Sequence, residues 1–473
     1  MAAKPLINLL RGWPNTSLLP TAVIKQAADS VLTRPDVAIP GLLYGPDPGD
    51  PGARSAIAAW LTDFYRPSQP VTDERITITG GASQNLGCIL QTFTDPIFTR
   101  NIWISSPAYF LAFRIFEDSG FAGRLRSVPE DDGGVDVDFL RREITKSEEK
   151  ARADGNTEPT LKPGRPWRKI YPHVIYVVPS FANPSSVTMP LERRKELVKL
   201  AREYDALVIC DDVYDFLQWP AATDTNESGL NKALLPRLVD IDRFLDGGAE
   251  RDGADGFGNV ASNGSFSKVA GPGLRTGWVE GTAKLAHGVS QTGTSRSGGA
   301  PSQLTSTYVA QLLESDRLQQ HIYGTLQPAY AARYRVMMSA IEKHLVPQGV
   351  RLPQPGREVV GGYFVWLSLP SPLKSAEVAR LAREKENLIV AEGGLFEVPG
   401  DSATVNFPCD IRLCFSWEDV DRLGEGIERL ARVIDQLQRG EVADDADRQG
   451  EMQPDTEGGQ SGKLGQGNSG NYW

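Results

Sequence analysis

The stretch Ser265-Phe266-Ser267-Lys268-Val269-Ala270-Gly271-Pro272-Gly273-Leu274-Arg275-Thr276-Gly277-Trp278 decides how this chain is read. A lysine sits among small hydroxyl residues, a Pro-Gly turn follows, and an arginine comes seven positions after the lysine. The turn can fold Arg275 back beside Lys268. One cation then holds a dianion while the other group, an amine, reacts with a carbonyl to form a Schiff base.

Outward from this stretch the chain alternates strand and helix. Strand-like runs lie at Ile76–Thr79, Ile102–Ile104, His173–Val178, Ala206–Cys210, Val260–Phe266 and Thr276–Glu280. Helix-like runs lie near 53–65 and at Leu86–Phe93, Tyr109–Phe116 and Leu191–Tyr204. Such alternation predicts an α/β fold, a mostly parallel sheet with helices on both faces. Residues 1–43 read as an N-terminal arm with one short helix after Pro20, contributing to a small domain, and 44–303 as the large domain. Within that domain, 143–169 is charged and lacks apolar periodicity, which predicts a surface insertion; 246–259, rich in Gly and Asp, predicts a mobile loop. Residues 304–439 read as a smaller α+β domain with strands at Tyr363–Leu367 and Ile411–Phe415. Residues 440–473 have the composition of a disordered acidic tail.

The strand ends carry the chemistry. Gly80-Gly81-Ala82-Ser83-Gln84 follows a strand and opens a helix, where bare backbone N–H groups attract an anion. An ordinary Gly-rich turn is the competing reading. Tyr109, in Pro107-Ala108-Tyr109, can lay an aromatic face on a ring, or sit in the core. Asn183, before Pro184, can donate to a phenolic oxygen, or serve turn chemistry. Asp211 ends the apolar strand Ala206–Cys210, where ligands of open α/β sheets bind. A buried carboxylate there needs a partner, and a pyridinium N–H supplies one. Asp212 competes one residue on, and Tyr214 can reach the same phenolic oxygen as Asn183. Together with Lys268 and Arg275, these groups suit pyridoxal phosphate (PLP), whose protein partners include a Schiff-base lysine and an acid at the ring nitrogen.

Composition excludes other classes. The formal net charge is −10, and the segment from Gly440 on, with seven acids and two bases, carries half of it. No clustered basic face suggests nucleic acid, and no apolar run approaches a membrane helix. Cys88, Cys210, Cys409 and Cys414 form no CxxC pair or metal spacing. A cytoplasmic protein without a metal is the expectation.

On these residues the chain resembles the fold-type I PLP enzymes, class I/II aminotransferases, in the manner of the 2-aminoadipate/aromatic group and its fungal-type relatives. The resemblance runs from about Leu9 to Leu437 and rests on Ser-x-Ser-Lys with Pro-Gly-x-Arg-x-Gly-Trp, on Asn183-Pro184 and on Asp211-x-x-Tyr214. It implies that Lys268 is the Schiff-base lysine and proton-transfer base. Asp211 pairs with the pyridine nitrogen, Asn183 and Tyr214 bond the phenolic oxygen, and Tyr109 stacks on the ring. Ala82, Ser83, Ser265, Ser267 and Arg275 hold the phosphate. Tyr44 reaches the phosphate of a neighbouring subunit, which implies a homodimer with shared sites. Arg412 holds the substrate α-carboxylate, a match for its planar fork, and Gly12 marks the arm that closes over substrate. The segment Trp13–Pro20 and Ser106-Pro107-Ala108 depart from the family pattern. Arg296 can cross the interface to an acidic side chain, or remain a solvated loop arginine.

The implied activity is transfer of an amino group from an L-amino acid to a 2-oxo acid, in ping-pong fashion. β-Elimination or C–S cleavage on the same scaffold is the alternative, since fold does not fix reaction; Arg412 disfavours decarboxylation. A PLP-binding transcription regulator is the least favoured, because no room precedes the arm at Leu9 for a DNA-binding domain.

Overall fold

The computed structural model describes residues 4–222, 230–300, 302–352 and 356–441. All but Gly440 and Glu441 of the expected acidic tail lies outside the described residues.

Eight strands form one sheet in the spatial order Ile76–Thr79, Gly277–Glu280, Val260–Ser265, Leu207–Asp211, His173–Val177, Asn101–Ser106, Leu125–Asp131, Gly134–Val135. The five from Val260–Ser265 to Leu125–Asp131 run parallel to one another. Gly277–Glu280 runs antiparallel to both of its neighbours. Alternation along these strands feeds two cores, because successive side chains point to opposite faces. Val174, Tyr176, Leu207 and Ile209 pack with helices Ala82–Phe93, Phe110–Phe116 and Ala283–Ser290. Ile175, Val177, Val208 and Cys210 pack on the other face with helices Val137–Ala153 and Leu191–Glu203. Burial on both faces is why these strands read as unbroken apolar runs.

A second, three-stranded antiparallel sheet places Asp410–Cys414 between Phe364–Ser368 and Ala391–Glu392. The long helices Gln327–His344 and Val420–Gln438 accompany it, the second burying Leu423, Ile427, Leu430 and Ile434 along one stripe. The N-terminal segment joins this part of the molecule. Ile7–Asn8 pairs in parallel with Leu388–Ile389, and Leu9 O accepts from Cys414 N at 2.7 Å. Among the described residues no helix is long and apolar enough to cross a membrane, and no cluster of His, Cys, Asp and Glu has the arrangement to hold a metal ion.

Two expectations change. The segment 143–169 is not one irregular insertion: residues 143–153 belong to helix Val137–Ala153, which buries Ile144 and Ala151. Its polar face dominates the sequence and hides a narrow apolar stripe. The N-terminal region holds two helices, Thr21–Leu32 and Pro35–Gly41, rather than one; the second carries Pro40 internally, which obscures it. The segment 246–259 is anchored at its end, where Asn259 Nδ2 donates to Ala206 O at 2.9 Å and Asn259 N to Asp242 Oδ2 at 2.8 Å.

Candidate active site

The sheet topology brings the chemical residues to one edge. Thr79, Ser106, Val177, Asp211 and Ser265 all end their strands there, and Gly277 begins its strand beside Ser265 and Thr79. Gly80-Gly81, Tyr109, Asn183, Asp211 and Lys268 therefore emerge together, at the carboxyl ends where open α/β sheets bind ligands.

Strand alternation separates the two aspartates. Asp211 shares the face of Leu207 and Ile209, and its Oδ2 accepts from Tyr176 Oη at 2.8 Å. Asp212 lies on the opposite face and accepts from Ser262 Oγ, so it points elsewhere. Asp211 Oδ1 is buried and, among the described residues, has no hydrogen-bond partner. Burial raises the Asp211 carboxyl to about 6, against the opposing pull of Tyr176 and of the Lys268 cation. A buried carboxylate oxygen without a donor is costly, and a protonated ring nitrogen would relieve it.

Lys268 follows the Val260–Ser265 strand. Its Nζ donates to Gly12 O at 3.0 Å and lies 5.1 Å from the Tyr363 ring centroid and 5.7 Å from that of Tyr214. Tyr363 Oη donates to Lys268 O at 3.1 Å and fixes the backbone beneath the amine. Desolvation lowers the Lys268 amine to about 8, Asp211 opposes that shift, and Arg412 adds to it. Arg275 is not among the groups that shift it, because its guanidinium is directed to the Gly80-Gly81 turn instead.

That side is a cup. Arg275 Nη2 donates to Gly80 O at 2.6 Å and Nη1 to Pro272 O at 2.9 Å. Ser265 Oγ donates to Ser267 Oγ at 2.9 Å. Gly81 (φ 108°) lies between them; a Cβ there would stand 3.1 Å from Arg275 Nη2 and 3.6 Å from Ser265 Oγ. Ala82 and Ser83 form the first turn of the 12-residue helix Ala82–Phe93, which has no side-chain cap among the described residues. Its free N–H groups meet two serine hydroxyls and a guanidinium, a donor set suited to a phosphate. Asn85 secures the turn, with Nδ2 donating to Asn263 Oδ1 at 2.6 Å and to Gly264 O and Trp278 O at 3.0 Å.

On the far side Arg412, buried in the small sheet, donates from Nη1 to Asn183 Oδ1 at 2.9 Å and from Nη2 to Leu10 O at 2.5 Å. Its Nε has no hydrogen-bond partner among the described residues. Phe364 and Phe396 cover the guanidinium at 4.1 and 4.9 Å. Burial lowers it to about 10, so it remains a cation at neutral pH. With its oxygen held by Arg412, Asn183 directs its Nδ2 the other way. Tyr109 is raised to about 12 by burial and then by Asp211, and Tyr214 lies well above its usual range for the same two reasons. Both stay protonated.

Two expected residues stand apart. Tyr44 is 89 % exposed with its ring against Gly298. Arg296 pairs with Asp47 of its own chain. Sequence reasoning missed Tyr176, Tyr363, Phe364 and Phe396, which read as core aromatics because their rings are core; only the hydroxyl ends or ring faces meet the site.

The site thus offers a lysine amine, a phosphate cup, an unpartnered buried carboxylate oxygen and a buried guanidinium, which fit pyridoxal phosphate and an amino acid. The pattern of the family Aminotransferase class I and II matches residues 6–430. The uncharacterized protein YER152C of Saccharomyces cerevisiae is 35% identical over 447 residues, 90% of this chain and 96% of the yeast one. The aromatic-amino-acid aminotransferase 1 of Thermococcus litoralis is 27% identical, across 91% of this chain and 88% of its own. Among solved structures, the α-aminoadipate aminotransferase of Thermus thermophilus, complexed with N-(5'-phosphopyridoxyl)-L-leucine, superposes with a TM-score of 0.70 at 25% identity, covering 92% of this chain and 93% of that one. Fold and site define a PLP-dependent transaminase of fold type I. The chain belongs to the class I and II aminotransferase family.

Proposed function

We propose that the enzyme transfers an amino group from an L-amino acid to a 2-oxo acid in two successive half-reactions at one site, with Lys268 as the residue that attaches the cofactor and moves the substrate proton. The buried, unpartnered Asp211 Oδ1 carries this reading, because it is a place built for a cationic ring nitrogen. When bound, pyridoxal phosphate supplies a carbonyl that condenses with amines and a ring that takes up electrons from the substrate Cα. Asp211 keeps the ring nitrogen protonated. Asn183 Nδ2 and Tyr214 Oη orient the phenolic oxygen, and the Tyr109 ring covers the pyridine. Gly81, Ala82, Ser83, Ser265, Ser267 and Arg275 hold the phosphate. Arg412 binds the substrate α-carboxylate, and Gly12 O accepts from the Lys268 amine whenever that amine is not bonded to the cofactor. Near pH 8 a large fraction of Lys268 is neutral, as a base that abstracts the Cα proton must be.

A homodimer completes the proposal. Ile39, Leu42, Leu43 and Tyr44 form an exposed apolar run on and after helix Pro35–Gly41. A second copy covering it would carry Tyr44 to the neighbouring phosphate cup. The test mixes the purified, cofactor-loaded protein with single amino acids and follows the visible absorbance. Conversion to the aminated cofactor with release of the matching 2-oxo acid is expected. Ammonia release without any 2-oxo acid acceptor would assign elimination instead.

A further inference from the structure

Two of the groups that face the cofactor position, Tyr109 and Asn183, are carried by separate loops after separate strands. One side chain joins those loops. Glu130 stands near the end of the Leu125–Asp131 strand, one position past the register pair Ser106↔Pro129. Its Oε2 accepts from Ser105 Oγ at 3.3 Å, four residues before Tyr109, and its Oε1 accepts from Ser185 Oγ, two residues after Asn183. Ser185 Oγ in turn accepts from Val187 N at 3.4 Å, so the Asn183 loop is closed onto itself at the same point. Nothing in the transfer chemistry described above uses Glu130.

Resting on the function proposed above, we infer that Glu130 is a positioning residue for transamination: its carboxylate clamps the Tyr109 loop to the Asn183 loop and thereby sets ring face against phenolic oxygen. A carboxylate suits the task, since its two oxygens accept from two hydroxyls at once, each hydroxyl turning its proton toward the oxygen it meets. A neutral acid bridges less symmetrically, because it must donate one of the two bonds. Burial, opposed by the Ser185 and Ser105 bonds and reinforced by neighbouring Asp131, raises Glu130 to about 7. Arg193 pairs with Asp131 from helix Leu191–Glu203 and damps that last influence. The clamp therefore tightens as pH rises through neutrality, where Lys268 is also losing its proton.

Loop misplacement on the order of 1 Å at a reacting centre costs as much as about 100-fold in rate. The test compares Glu130→Ala, Glu130→Gln and Ser185→Ala with wild type, all as cofactor-loaded enzymes. Three readouts are taken: the pH titration of the bound cofactor's visible absorbance, kcat and KM for one amino donor, and thermal melting. Glu130→Ala is expected to shift the absorbance midpoint and lower kcat by about tenfold or more. Glu130→Gln should recover most of kcat, but without the wild-type dependence on pH near 7. Ser185→Ala, which frees one loop, should move the same midpoint in the same direction. A lower melting temperature with absorbance midpoint and kcat both unchanged would reduce Glu130 to a structural role and overturn the proposal, and Ser185→Ala alone decides the matter if Glu130→Ala does not fold. Wild-type enzyme that lacks cofactor absorbance would instead overturn the underlying function, a distinct result.

Discussion

Arg412 Nη1 and Asn183 Oδ1 meet at 2.9 Å across two parts of the molecule, one on the small sheet and the other on the loop after the large sheet's His173–Val177 strand. Through this bond the group assigned to the substrate carboxylate also orients the group assigned to the cofactor's phenolic oxygen. A substrate carboxylate that engaged Arg412 as proposed would thus act on Asn183 without touching it.

Replacement of Arg412 by Gln therefore has two effects. The carboxylate loses a charge-assisted fork, and Asn183 Oδ1 and Leu10 O lose a buried donor. Losses of about 3 kcal/mol are typical of a buried charged hydrogen bond, so kcat/KM should fall roughly 100-fold. Because Asn183 is freed too, the cofactor's absorbance should shift in the substrate-free variant. Steady-state kinetics and a visible spectrum check both.

Lys268→Ala removes the amine and leaves the cup, Asp211 and Tyr214 in place. The variant is expected to fold, to bind pyridoxal phosphate without covalent attachment and to lose turnover by several orders of magnitude. Borohydride treatment followed by peptide mass analysis should label the Lys268 peptide in wild type and nothing in the variant. Retained turnover in the variant would remove the assignment.

Much of this was legible in the sequence, for physical reasons. A buried parallel strand such as Ala206–Cys210 is a continuous apolar run, and Asp211 announces itself by sitting where that run stops; Lys268 follows the more polar strand Val260–Ser265 and was legible from its motif with Arg275 instead. Asp211 separates from Asp212 by strand alternation alone. What stayed hidden was of another kind. Tyr176 and Tyr363 serve through hydroxyls at the ends of core rings, and a sequence does not say where the end of a buried ring lands. The helix Val137–Ala153 buries only Val137, Leu140, Ile144 and Ala151 in a charged run, so its period was diluted by solvent-facing residues. Tyr44 is legible as a residue type, but the phosphate cup proposed for it would belong to a second copy.

The cup makes a prediction about glycine. At Gly81, φ is 108°, a conformation L side chains rarely adopt, and an added Cβ would press on Arg275 Nη2 at 3.1 Å. Gly81→Ala is expected to displace the guanidinium and strain the turn, with a combined cost of about 1–3 kcal/mol. Cofactor affinity, followed by fluorescence during dialysis, should weaken by roughly tenfold or more. The effect on melting of the cofactor-free protein should be smaller than the effect on affinity.

Asp211 links stability to function with a definite sign. Burial raises its carboxyl from 3.8 to about 6, so the cofactor-free fold binds a proton more tightly than the unfolded chain does. Its favourable contribution is complete below the unfolded value and is lost as pH rises toward 6; above that, the buried charge is a net cost of roughly 3 kcal/mol. Asp211→Asn avoids the charge and can still accept from Tyr176 Oη. The cofactor-free variant should therefore melt higher than wild type at pH 7.5, and the gap should shrink toward pH 4. Pyridoxal phosphate reverses the order, because a protonated ring nitrogen gives Asp211 Oδ1 its missing donor. Wild type should gain more melting temperature from the cofactor at pH 7.5 than at pH 5, while the variant gains less than wild type at pH 7.5, without that dependence on pH, and loses turnover. Melting curves with and without pyridoxal phosphate at the two pH values decide it: equal gains for wild type and variant would mean that Asp211 does not hold the ring.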